Sequence, residues 1–277
     1  MQSAQTGIDQ GALLVGPLLG GLLLLAGPAV LLAVVALLAL TAAATTSGDA
    51  GNKTVHRPVS SSLLTGWETL RRTPALAWLV GGLAASNLTT GVLQAAAPIT
   101  VIHQFHYSTA SVGSVWSAAA VVSLAAVWAS RRAIDRFGIW PVGAVGAGVA
   151  TAACLGTALA PSFTAYTVSV SVVMAGEGVM TVVLRTVRSR LIPVHAFGST
   201  LAVTIILVLL PLPLAGALVA IVPVAAISHV LLACAVLQGL ALGTCFAGLR
   251  RYRTVCEPPS PQVPVLHEEP VHSADAL

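Results

Sequence analysis

The 277-residue chain is 56% apolar and only 8% charged, with 13 basic against 9 acidic residues and a formal net charge of +4. A water-soluble domain needs roughly 25% charged residues to cover its surface, so this composition excludes water as the main solvent and assigns the chain to lipid. The unit of organisation is then a spanning helix of about 20 apolar residues, matched to a hydrocarbon core about 30 Å thick.

In chain order, the first apolar tract runs from Gly11 to about Thr45 without a charge. It is too long for one span, and Gly27-Pro28 interrupts it where a tight turn fits. Two spans are predicted, about Ala4–Leu25 and about Ala29–Thr45. From Thr46 to Thr73 the sequence turns polar and basic, yet Leu63, Leu64, Trp67 and Leu70 recur at helical spacing beside Arg71 and Arg72. That pattern predicts a short amphipathic helix, either lying on the membrane surface or packed on the protein as a linker.

Six further spans follow, about Ala75–Ile99, Ala110–Ala129, Trp140–Leu159, Ser162–Leu184, Thr200–Ala220 and Ala225–Leu249. The fold class is therefore all-α, a polytopic membrane protein of about eight transmembrane helices. The connections near 103–109, 160–161 and 221–224 carry neither Lys nor Arg. The intervening ones hold every basic residue of the chain: Lys53, Arg57, Arg71 and Arg72, then Arg131, Arg132 and Arg136, then Arg185, Arg188 and Arg190, then Arg250, Arg251 and Arg253. With eight spans all thirteen fall on one side, which the positive-inside rule makes the cytoplasmic side, with both termini there. The net charge thus reports loops facing anionic lipid and gives no sign of nucleic acid.

The chain divides into residues 1–45 with two spans, 46–74 as a cytoplasmic loop with the amphipathic helix, 75–249 with six spans, and 250–277 as a tail. From Cys256 onward the tail is proline-rich with adjacent glutamates, a composition that cannot build a core and predicts disorder. No basic segment follows Met1 and no early cleavage site ends the apolar tract, so a signal peptide is not expected. The lack of a positive anchor before the first span leads us to expect that upstream helices are absent.

The polar groups inside the spans are few. Asp9 and Glu177 are the two carboxylates there, and an ionisable group in the bilayer costs several kcal/mol unless paired, hydrated or protonated. Both are proton-coupling candidates. Glu177 is set between Gly176 and Gly178, which leave space around its carboxyl group for water or a neighbouring helix; the alternatives are a structural acid hydrogen-bonded to another helix or a pair with Arg185. Asp9 could instead lie in the interface. Asn87 and Gln94, seven apart on one helical face, are substrate-cavity candidates, with helix–helix hydrogen bonding as the equal alternative. His103 and His106 read as an exposed loop because metal binding needs more ligands, and His229 reads as a packing residue. Cys154, Cys234, Cys245 and Cys256 show no CxxC spacing and read as small hydrophobes. No metal and no cofactor are expected.

Three local motifs remain. Gly16-Pro17-Leu18-Leu19-Gly20-Gly21 places small residues a turn apart beside a kink-forming proline. Arg131-Arg132-Ala133-Ile134-Asp135-Arg136-Phe137-Gly138 puts one acid in a basic loop, where it could cap a helix and pair with arginines. Arg188-Ser189-Arg190-Leu191-Ile192-Pro193, with Gly198 beyond, ends a span.

In this order the segments resemble the major facilitator superfamily. The GPxxGG run, Gly16, Pro17, Gly20 and Gly21, is similar to the antiporter motif of that family's fifth helix. The DRxG run, Asp135, Arg136 and Gly138, is similar to its conformational loop motif between the eighth and ninth helices. Leu184 to Gly198 resembles the end of the tenth helix in siderophore- and macrolide-exporter-like members. Arg131 stands where the loop motif has glycine, and Ser199 where the exporters often have arginine.

The resemblance implies the fifth to twelfth helices of a twelve-helix transporter, the last two-thirds of the fold. It further implies proton-coupled efflux of small amphipathic compounds across the plasma (inner) membrane of a bacterium. Its partners would be membrane lipids, a small-molecule substrate, protons and, for a split transporter, a separate chain supplying the missing helices. The absence of a GxxxxGKS/T run fits drive by a proton gradient rather than by ATP. The alternative is a non-transporting membrane remnant or scaffold lacking the first four helices. An intramembrane enzyme is disfavoured, since HExxH, a nucleophile elbow and paired catalytic carboxylates are all missing.

Overall fold

The structure, a computed structural model, describes residues 59–193 and 196–252, together with 33, 34, 36–38, 40 and 41. The latter are helical, as the second predicted span requires, and Leu37, Leu38 and Leu40 are exposed. The first span, with Asp9, Gly16, Pro17, Gly20 and Gly21, lies outside the described residues.

Eight helices are described from Val59 on. They are α1 (Val59–Arg72), α2 (Pro74–Ile99), α3 (Thr109–Phe137), α4 (Ile139–Ala158), α5 (Phe163–Leu191), α6 (Phe197–Leu209), α7 (Pro211–Ile221) and α8 (Ile227–Arg250). A π-helical turn, Thr100–Gln104, extends α2, and a 3₁₀ turn, Val224–Ala226, precedes α8. Taken with these extensions, and with α6 and α7 as one unit, six helices are long and apolar enough to cross a membrane. The fold is all-α.

Four span boundaries differ from the sequence reading. α3 continues two turns past Ala129 through Arg131, Arg132 and Arg136, and α5 runs past Leu184 to Leu191. Hydropathy marks where lipid ends, whereas the backbone ladder continues through arginine, a good helix former. α2 runs past Ile99 because the register slips to a π turn just after Pro98, a helix-interior proline without an N–H. The span expected as one helix from Thr200 to Ala220 is divided at Leu210, ahead of Pro211 and Pro213. Leu210 keeps helical torsions (φ −51°, ψ −36°), so the prolines kink the span without reversing it.

The amphipathic helix resolves in favour of packing on the protein. Gly66 of α1 sits against the Ser199 carbonyl of α6, so close that a Cβ there would overlap it, and Leu70 is buried beside it. The adjoining face carries Leu63, Leu64 and Trp67, all exposed. α1 is therefore bolted to the bundle along one edge of its apolar face, and the other edge is uncovered among the described residues. Its Glu68–Arg72 ion pair, 2.6 Å and exposed, adds little in water.

Connections of one to five residues make successive spans antiparallel, so the arginines ending α1, α3, α5 and α8 gather at one end of the bundle. Cysteines introduced beside Arg132 and Arg190 should react with a membrane-impermeant maleimide from one side only. Cysteines beside His106 and Ser162 should react from the other. Labelling of His106 and Arg132 positions from the same side would refute the alternation.

α5 is the hub, packed against α2, α3 and α4, while α8 lies against α2 and α4. Buried apolar residues form two clusters. One, with Leu76, Leu79, Leu184 and Leu249, fills the arginine-bearing end, and the other, with Leu93, Val101, Tyr166 and Leu231, fills the opposite end. Between α4 and α8 an open groove of about 370 Å³, lined by Gly148, Thr151, Gly239, Gly243 and Phe246 among others, faces outward.

Candidate functional site

Between those two apolar clusters lies a thin polar layer centred on Glu177. Fourteen residues of α5 lie on either side of it, so at 1.5 Å per residue it is about 21 Å from each helix end. It is 8% exposed, and among the described residues it is the one buried acidic or basic side chain.

Two neutral donors hold its carboxyl group. The Ser86 hydroxyl of α2 donates to Oε2 at 2.5 Å, and the Gln238 amide Nε2 of α8 donates to Oε1 at 2.5 Å. Three helices are thereby tied at one level. Gln238 is fully buried, and its own Oε1 has no hydrogen-bond partner among the described residues. The alternative pairing of Glu177 with Arg185 is not the arrangement seen. Arg185 is exposed at the arginine-bearing end of α5.

Antiparallel packing of α2 on α8 sets this register. Gly248 receives the Trp78 ring, Gly82 receives the Cys245 side chain, and the Thr89 hydroxyl donates to the Cys234 carbonyl at 3.1 Å. Ser86 and Gln238 fall between the second and third of these contacts, and Glu177 inserts from α5.

The sequence reading gave the flanking glycines as room around the carboxyl group, for water or for a neighbouring helix. The structure selects the helix, and on other sides of α5. A Cβ on Gly176 would lie 2.6 Å from the Ala150 amide nitrogen and 2.7 Å from the Gly146 carbonyl of α4. A Cβ on Gly178 would lie 2.9 Å from Ser123 Oγ and Val127 Cγ2 of α3. At 100° per residue, positions 176, 177 and 178 address three different neighbours. The glycines bring α3 and α4 in close, and the carboxyl points to α2 and α8.

The two amide candidates of α2 separate. Asn87 donates from Nδ2 to the Val208 carbonyl at 2.8 Å, supporting α6 where Pro211 and Pro213 thin the backbone ladder. That is the helix–helix role. Gln94 is exposed on the outside of the described bundle, so the structure does not bring the pair to one cavity.

The loop motif takes a different form from the expected loop. Asp135 and Arg136 lie in the last turn of α3, and Gly138 alone joins α3 to α4. α4 starts without a side-chain cap, so Asp135 does not cap it. Arg132 lies with its guanidinium 3.8 Å from the Trp128 ring centre, and Arg136 suits the negative end of the α3 dipole. Gly138 adopts φ 85° and ψ 165° and donates its N–H to the Ile134 carbonyl at 2.8 Å. Such torsions are nearly restricted to glycine. Gly138→Ala should therefore cost about 1–3 kcal/mol, read as a lowered thermal midpoint in detergent; an unchanged midpoint would mean that the turn relaxes freely.

The remaining candidates are exposed or buried singly. His103 and His106 are exposed at the end of α2 away from the arginines. His229, expected as a packing residue, is exposed because α8 turns Ile227 and Leu231 inward instead. Cys154, Cys234 and Cys245 are buried free thiols. Among the described residues no group of three His, Cys, Asp or Glu could hold a metal ion.

Ser86 and Gln238 were missed in the sequence. Gln238 did carry a signal, as a polar side chain in the middle of Ala235-Val236-Leu237-Gln238-Gly239-Leu240, since polar residues at that depth serve helix contacts or function.

Against known protein families, residues 2–210 match the Major Facilitator Superfamily. No curated protein and no solved structure matches the chain significantly.

Proposed function

The chain belongs to the major facilitator superfamily, and from that premise we propose that it acts in proton-coupled efflux of small amphipathic compounds, with Glu177 as the proton site. Its arginine-bearing end would face the cytoplasm of a bacterial cell, as the positive-inside rule requires, with both termini on that side.

One observation carries the reading: a buried carboxyl group halfway along a membrane span, held by two neutral donors. Had its role been purely to join helices, a neutral amide would do so without the cost of an ionisable group at that depth. The protonated form is compatible with apolar clusters above and below. The ionised form requires water or a rearranged polar surround. Each form therefore favours a different packing of α2, α5 and α8, and proton occupancy biases the balance between them. In transporters built from repeated halves, rocking of one bundle against another exposes a midplane site alternately to the two sides. A proton site in the core of one bundle can drive that motion. Gln94, exposed on α2, remains the candidate for contact with substrate.

Inside-out membrane vesicles containing the full chain test this. An imposed pH gradient should drive accumulation of an amphipathic cationic dye, and a protonophore should stop it. Accumulation indifferent to the gradient would overturn the coupling.

A further inference from the structure

We propose that Gln238 is the partner that follows the proton on Glu177, its side-chain amide turning over so that either form of the carboxyl group finds a hydrogen bond. This rests on Glu177 being the proton site and adds a second moving part on a different helix.

The argument starts from what each form needs. An ionised carboxylate only accepts hydrogen bonds, whereas a protonated one has an O–H to donate. Around Glu177 Oε1 the partner is the Gln238 amide, which carries an N–H donor face and a C=O acceptor face. In the observed arrangement Nε2 faces Glu177 at 2.5 Å and Ser86 Oγ faces the other oxygen at 2.5 Å. Both carboxyl oxygens accept, the arrangement that suits the ionised form. When Oε1 of Glu177 takes a proton, its O–H and the Gln238 N–H are two donors facing each other. A half-turn about the last torsion of Gln238 replaces that N–H with its carbonyl oxygen. The carboxyl O–H then donates to Gln238 Oε1, while Ser86 continues to donate to Glu177 Oε2. No bond other than the O–H is made or broken.

The second observation is that no described residue holds the amide by its oxygen. Gln238 Oε1 is buried, with the whole side chain 0% exposed, and has no partner among the described residues. A donor on that oxygen would lock the amide. Without one, each orientation leaves one amide atom facing away unpaired, so the two are alike in cost. The terminal torsion of glutamine is broad and two-fold, so rotation needs no change in the rest of the side chain.

The Ser86 hydroxyl can turn from donor to acceptor for a proton on Oε2, but at Oε1 the surroundings contain little else that could respond. From α4 the titratable group that feels the Glu177 charge is the Cys154 thiol, which also feels Cys234 of α8. From α2 comes the Ser86 hydroxyl. None of these can exchange a donor for an acceptor on Oε1 as an amide does.

Magic-angle-spinning NMR of the full chain in lipid vesicles tests this, with isotope labels in the Glu carboxyl carbons and the Gln side-chain nitrogens. Glu177→Gln and Gln238→Met assign the two signals, and Gln238→Asn serves should the Met variant not fold. The dipolar coupling between Gln238 Nε2 and the Glu177 carboxyl carbon should be strong where the carboxyl shift reports the ionised form. It should fall severalfold where the shift reports the protonated form. Equal coupling in both forms overturns the role of Gln238 and leaves Glu177 as the proton site. A Glu177 carboxyl shift that never changes over the tolerated pH range overturns the proton site, and this inference with it.

Discussion

Glu177→Gln should abolish gradient-driven dye efflux from vesicles while leaving energy-independent dye exchange largely intact. The replacement has the shape of the protonated acid and keeps both contacts, since its carbonyl oxygen can accept from Ser86 and its amide can donate to Gln238 Oε1. What it loses is the ability to release a proton. A conformational cycle that needs no proton, such as exchange of dye for dye, persists. One that must carry a proton back across the membrane stops. Thermal stability of the variant should match or exceed that of the parent, because a buried ionisable group is replaced by a neutral one of equal volume. Full gradient-driven efflux by Glu177→Gln would reduce Glu177 to a structural acid joining three helices.

The second large effect is structural. Gly176→Ala should lower stability by about 1–3 kcal/mol, the usual cost of overpacking, despite a gain of up to about 1 kcal/mol in helix propensity. The new methyl group would stand 2.6 Å from a backbone nitrogen and 2.7 Å from a backbone oxygen of α4. Those atoms cannot turn away as a side chain can, so α4 and α5 must separate, and the contact around Glu177 loosens with them. Gly148→Ala on α4 is the matched control. A Cβ there meets nothing within 4 Å, because Gly148 faces the groove beside α8. It should be neutral or slightly stabilising. If both variants unfold at the same temperature in detergent, the close crossing of α4 on α5 is not what holds the bundle.

What could be read from the sequence follows from how strongly each feature is written in local chemistry. Apolar runs, glycine–proline breaks and one-sided arginines gave the all-helical membrane fold and the order of spans from Ala75 on, because lipid thickness and the positive-inside rule act on short stretches. Gly138 stood out for a reason that the structure explains, a single-residue turn with positive φ. Glu177 was recognisable because a carboxylate at bilayer depth is costly wherever it occurs.

The partners of Glu177 were not legible. Ser86 lies 91 residues from Glu177 in the chain and Gln238 lies 61 residues away, and their meeting depends on the register of α2 against α8. That register is set by tertiary contacts such as Cys245 on Gly82 and Trp78 on Gly248. The same holds for Gly176 and Gly178, whose absent side chains mattered for neighbours no local pattern reveals. Span ends were misjudged at α3 and α5 because hydropathy measures lipid contact and helices outlast it. The Asn87 contact was not legible either, since Val208 lies 121 residues away, beside the proline kink.

Proton coupling through Glu177, as proposed, has a direct measurement. Thermodynamic linkage requires that a ligand favouring the ionised form expel the proton as it binds. Purified full chain in a weakly buffered detergent solution, at a pH where Glu177 carries its proton, mixed with an amphipathic dye that it binds, should release about one proton per chain at saturation. Glu177→Gln should bind the dye and release none. Equal proton release from the parent and from Glu177→Gln would contradict the account.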